Sequence, residues 1–76
     1  MTYLDRVVSD PSICHGKACI RGTRIAVADI LHLLSAGYPM DEIPTQYPGI
    51  TRQDVLAAIA FATRLSEEPV RILTTR

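Results

Sequence analysis

Cys14, His15, Cys19 and His32 are the side chains whose types could bind a metal or carry a nucleophile. A structural zinc site needs four converging ligands, usually including a Cys-x-x-Cys pair, and the two cysteines here lack that spacing. In an extended segment, adjacent Cys14 and His15 also point to opposite faces. They read instead as two small hydrophobes and a polar turn histidine, with no metal. Nucleophilic catalysis by a Cys–His pair would need an orienting carboxylate and a cleft. Asp41, Glu42, Asp54, Glu67 and Glu68 stand where helix caps and solvated faces want them. The expectation is that the chain is not an enzyme and carries no cofactor.

The other chemistry on offer is charge. Lys17, Arg21 and Arg24 crowd one short region around Gly16 and Gly22, three of the eight basic residues of the chain. Such a rim on a turn could meet phosphate groups. Equally, the three could be solvated loop cations, one arginine bonding helix C-terminal carbonyls. The whole chain is neutral, eight basic residues against eight acidic. That balance argues against strong non-specific nucleic-acid binding and leaves room for a local patch.

The elements that must position these residues change character near residue 25. Val7-Val8-Ser9 is a short β-prone run ended by Asp10-Pro11, and Ile13-Cys14 and Ala18-Cys19-Ile20 read as two further short strands joined by His15-Gly16-Lys17. Val27, Ile30, Leu31 and Leu34 then fall on one helical face, with Asp29, His32 and Ser35 opposite and Gly37 as the C-terminal cap. Asp29 suits the positive end of the helix dipole. A second, short helix is expected over roughly Asp41 to Tyr47, with Asp41 as its N-cap and Pro44 in its first turn. Pro48-Gly49 stops it. Thr51 and Asp54 form a capping-box variant, which starts a third helix from Arg52 to about Leu65.

Residues Val55 to Ala62 of that helix include no polar side chain. A helix apolar on all sides must be covered on all sides. A chain of 76 residues buries only about 60% of its unfolded surface, yet 47% of this one is apolar. A homodimer or an obligate protein partner is therefore expected, with Val55, Leu56, Ile59, Phe61, Ala62 and Leu65 at the interface. The β-prone Val70-Arg71-Ile72-Leu73 run would be either a frayed tail or a strand pairing with another chain, through Val70 and Ile72. Neither a signal-peptide pattern nor an apolar run of membrane-spanning length is seen, so a soluble, cytoplasmic protein without a membrane partner is expected.

Taken together, the expected fold class is mainly α: a trihelical helix-turn-helix domain, homeodomain-like or winged-helix-like, with short N-terminal strands. In such a unit Thr51, Arg52 and Gln53 would meet base edges, and Lys17, Arg21 and Arg24 would anchor phosphates. The competing reading is a three-helix packing unit whose third helix is a dimer or partner surface, and the charge balance favours it.

The run Asp10-Pro11, Ile13-Cys14, Gly16-Lys17, Ile20-Arg21-Gly22-Thr23-Arg24-Ile25 and Val27, with Gly37, Ile43, Tyr47-Pro48, Thr51 and Asp54-Val55, resembles the bacterial and archaeal family called domain of unknown function 433. The resemblance covers about residues 5 to 67, within a domain expected to span 1–67 and be followed by a 68–76 tail. It implies a small helix-turn-helix-like domain and an antitoxin-like role of the VapB type. It also implies a PIN-like ribonuclease as the toxin partner of a type II toxin–antitoxin system, with operator DNA as a second partner. His15 stands where the family often has glycine, Ala18 and Ala26 where proline is common, and Pro44 is unusual in the second helix.

Overall fold

The computed structural model describes residues 5–67, so the interface expected at Val70 and Ile72 lies outside the described residues. The chain opens with an antiparallel hairpin, β1 (Val7–Asp10) and β2 (Ile13–Ile20). Asp10-Pro11-Ser12 turns it: the Asp10 carboxylate accepts from the Ser12 amide at 2.9 Å and from its hydroxyl at 2.7 Å. This is the local side-chain-to-backbone bonding that makes Asp a turn former. Val7, Val8 and Ser9 face Ile20, Cys19 and Ala18, but Asp10 faces Ile13, so four residues of β2 are bulged out between the last two pairs. Cys14, His15 and Gly16 carry that bulge with φ of 53°, 56° and 82°. The expected pair of short strands with a turn between them is thus one eight-residue strand interrupted by a left-handed excursion.

Three helices follow, α1 (Val27–Ser35), α2 (Ile43–Gln46) and α3 (Arg52–Ser66), with a 3-10 turn at Met40–Glu42 leading into α2. Asp29 accepts from the Ala26 amide at 3.2 Å at the start of α1. At its end Gly37 takes φ 99°, and the Gly37 and Tyr38 amides donate to Leu34 and Leu33 carbonyls at 3.0 and 3.1 Å. These two bonds form a Schellman motif, which only a residue free of a Cβ accommodates without strain. Thr51 caps α3 as expected. Its hydroxyl accepts from the Asp54 amide at 3.3 Å, and the Asp54 carboxylate accepts from the Thr51 amide at 2.9 Å.

The expected mainly α, trihelical helix-turn-helix fold is not what forms. About half of the described residues are helical, and the hairpin is a structural layer in its own right, so the molecule is a small mixed α/β fold. The second helix is where the expectation fails. Pro44 lacks an amide hydrogen and fits only in a first turn, and Tyr47, leaving the helix at φ −127°, ψ 87°, ends it after Gln46. Four residues remain, too few for the supporting helix of a helix-turn-helix unit. Asp41 is not the cap either: Glu42 holds the N-cap position of α2 without a side-chain bond, and Asp41 pairs with Arg52 instead.

The core is one aliphatic cluster drawn from every layer: Ile20 of β2, Val27 and Ile30 of α1, Ile43 of α2, Ile50, and Val55 and Ala58 of α3. Asp54 is the one buried charged residue among those described, and Arg6, at the edge of β1, donates to its Oδ1 at 3.0 Å. With Thr51 on Oδ2, both carboxylate oxygens are occupied, and none of the buried side-chain polar atoms in the described residues lacks a partner. Helix α3 is thereby clipped to the first strand as well as capped.

Asp54→Ala removes a charge-assisted bond and half of the capping box. It is expected to cost about 2 kcal/mol, seen in thermal unfolding as a drop of roughly 10 °C for a domain of this size. Thr51→Ala, which removes only a capping hydroxyl, should cost about 1 kcal/mol. The Asp10 turn predicts a pH effect. Its carboxyl is held below the ordinary value of 3.8 by the Ser12 amide first and the Ser12 hydroxyl second. A lowered folded pKa means stabilisation that is present above 3.8 and lost as pH falls through the folded value. Carbon-detected NMR titration should place the Asp10 midpoint below 3.8, and a midpoint at or above 3.8 would contradict the turn geometry.

Candidate functional site

The loop from β2 to α1 holds the cations. The Thr23 amide donates to the Ile20 carbonyl at 3.0 Å, closing a turn with Gly22 at φ 81° in its third position, a conformation that favours glycine. The Thr23 hydroxyl locks the turn from inside, donating to Ile20 O at 2.8 Å and accepting from the Ile25 amide at 3.0 Å. Arg21 and Arg24 are thrown outward and exposed by this turn, and Lys17 is exposed on β2. Arg21 is partly committed, because its Nε donates to the Asp5 carbonyl at 2.6 Å. Arg24 borders an open cavity of about 600 Å³ between this loop and Pro48-Gly49, whereas Lys17 borders a different one. The structure thus divides the expected phosphate anchors between two hollows.

At the start of α3, Thr51, Arg52 and Gln53 are all exposed. Arg52, the one cation of that helix end, donates through Nε to Asp41 at 2.9 Å in an exposed ion pair. Thr51 is spent on the cap. No side chain of the expected base-reading trio offers free positive charge.

The second hollow has the opposite chemistry. Some 360 Å³ in volume, it lies between β2, α1 and the C-terminal half of α3, lined by Ala18, Val27, Ala28, Leu31, Phe61, Ala62 and Leu65, with Lys17 at the edge. Phe61 and Leu65 sit one helical turn apart on α3, as do Val27 and Leu31 on α1, so the walls are the i, i+4 rows of two packed helices. Leu65 is 57% exposed. The other expected interface residues divide by depth: Val55 is in the chain's own core, Leu56 and Ile59 are half-buried, and Phe61, Ala62 and Leu65 line the groove. The hairpin therefore covers one side of the apolar helix and leaves its far end uncovered. Ala28 and Leu31 also line this hollow; the 3.6-residue period puts Leu31 on the apolar face of α1, whereas Ala28 is exposed at the margin of that face and nothing in the period marks it.

The cysteines remain as free thiols. Cys19 is fully buried, and its thiol is pushed up by that burial and then by the neighbouring Cys14 side chain. Among the described residues, no three His, Cys, Asp or Glu side chains gather where they could hold a metal ion. No helix among those residues is long and apolar enough to cross a membrane.

Fold and surface together define a small α/β domain that carries a basic loop on one side and an apolar groove between two helices. The chain belongs to the family described as protein of unknown function (DUF433), whose model matches residues 7–62. It is similar to the crystal structure of a DUF433 member protein from Anabaena variabilis, at 34% identity and a TM-score of 0.74. The likeness covers 82% of this chain and 61% of that one, so this chain spans about three fifths of its neighbour's length. None of the curated proteins matches the chain.

Proposed function

We propose that the chain is a protein-binding, antitoxin-like regulator. Its apolar groove would receive an apolar segment of a partner protein, a PIN-like ribonuclease in a type II toxin–antitoxin pair. The observation that carries this reading is the groove itself: walls of aliphatic and aromatic side chains from α1 and α3, open to solvent and ending on the exposed Leu65. A contiguous apolar hollow on a domain this small is the surface character of a binding site. Lys17 at its edge would select a partner segment with an acidic residue beside its apolar ones.

Protein recognition is preferred over operator DNA on charge. Arg52 shares its surface with the acidic Asp41, Arg21 is bonded to the Asp5 carbonyl, and Lys17 and Arg24 border separate hollows. Operator contacts would fall to the exposed 21–24 loop. The competing occupant of the groove is a second copy of this chain, which would make the protein a homodimeric interaction module.

Leu65→Asp tests the reading without disturbing the core, because the side chain is largely exposed. Co-expression with a PIN-like ribonuclease encoded beside it should give a co-purifying complex in which nuclease activity is suppressed. The substitution should weaken that complex by about 10- to 100-fold, the worth of one buried leucine. Unchanged affinity, or a variant that merely turns a dimer into a monomer without touching inhibition, would overturn it.

A further inference from the structure

The left-handed excursion of β2 builds one wall of the hollow beside Arg24. Cys14, His15 and Gly16 take φ of 53°, 56° and 82°. Such a run is costly for residues with a Cβ and persists only where the surroundings hold it, as they do at ligand clamps. Here the Ser9 hydroxyl donates to the Gly16 carbonyl at 2.7 Å and the Cys14 thiol donates to the Arg24 carbonyl at 3.0 Å. The second bond ties the start of β2 to the loop before α1. Ile13 thereby joins Arg24 and Ile25 in lining the hollow of about 600 Å³ that Pro48 and Gly49 also line. Ile25 packs against the core cluster, but Ile13, half-buried, is not among the residues packed there. Its apolar surface is given to the hollow.

We infer that this hollow is a binding site for a small ligand made of a flat apolar ring and one terminal oxyanion, a carboxylate or a phosphate. Three features of the lining select that chemistry. Ile13, Ile25 and Pro48 offer apolar surface to the ring, and the volume falls within the range of about 300–1,000 Å³ usual for small-molecule sites. Gly22 and Gly49 leave the main chain bare, since a Cβ built on either meets nothing within 4 Å, so a flat body can lie close against it. Arg24 supplies the charge. Arg21 donates to the Asp5 carbonyl and Arg52 to Asp41, but among the described residues neither an acid nor a carbonyl accepts from the Arg24 guanidinium. A guanidinium fork meets the two oxygens of a carboxylate or phosphate in parallel, and one such fork matches one anionic group. The site shares no lining residue with the groove between α1 and α3, so it is independent of the partner-binding reading.

The test is amide NMR of the full chain titrated with three probes: naphthoate, its uncharged counterpart naphthamide, and adenosine monophosphate. An anionic probe should shift the amides of Gly22, Thr23, Arg24, Ile25 and Gly49 saturably at millimolar concentration. Naphthoate should bind about tenfold more tightly than naphthamide, the worth of one charge-assisted contact. Arg24→Gln, at an exposed position, should keep the fold and remove that preference, and Ile13→Ala should weaken the acid and the amide alike. The anions separate the two sources of the ligand. Saturation by naphthoate alone assigns an aromatic carboxylate, and saturation by adenosine monophosphate alone, weakened about tenfold by Arg24→Gln, assigns a nucleotide. Failure of both anions to saturate these amides would overturn the inference. So would shifts confined to the groove at Phe61 and Leu65, or anion binding that Arg24→Gln leaves unchanged.

Discussion

Asp54 is the residue on which the arrangement turns. Its carboxylate is buried, and a buried charge is tolerated only when its hydrogen-bonding capacity is met. One oxygen closes the capping box with Thr51; the other receives Arg6 from the first strand, 48 residues away in sequence. A local device for starting a helix is thus also the long-range clip between hairpin and helix. Truncating the carboxylate would loosen both, whereas the Arg6 guanidinium, 41% exposed, would fall back into water at little cost.

With α3 pinned at its N-terminal end, the rest follows from packing. Val55 and Ala58 meet Ile20, Val27 and Ile30, and the aliphatic cluster closes under the hairpin. The helix is longer than the layer that covers it: Ile59 and Phe61 still pack against the core, and Leu65, one turn beyond Phe61, is left exposed beside α1. The groove is the space left between them. Val27 and Phe61 reach the core from its floor while Leu65 does not, and that mismatch between helix length and covering layer is the physical origin of the candidate binding surface.

Much of this was legible in the residue types. Thr51 with Asp54, Gly37 after an apolar stripe, and Pro48-Gly49 announce helix ends because each solves a local backbone problem. The apolar stretch from Val55 to Ala62 announced that α3 needs covering. What was hidden depended on non-local partners. Nothing in the spacing of Arg6 and Asp54 reveals that they meet, and Asp41 reads equally well as a cap or as a partner for Arg52. The bulge reads as a plain turn because Cys14 is not a residue that favours positive φ, and His15 beside Gly16, which tolerates it better, is equally at home in an ordinary turn. The helix-turn-helix expectation failed at four residues: a proline, a stop after Gln46 and a 3-10 turn leave α2 too short for the unit that the order of elements suggested.

The division between a basic loop and an apolar groove makes ionic strength the discriminating variable. The most direct measurement is the affinity of the chain for a co-purifying partner across a salt series. Recognition through the groove predicts an association constant that barely changes with salt. A steep linear fall of log affinity with log salt, reduced by about one phosphate contact on Arg24→Ala, would contradict it and move recognition to the loop.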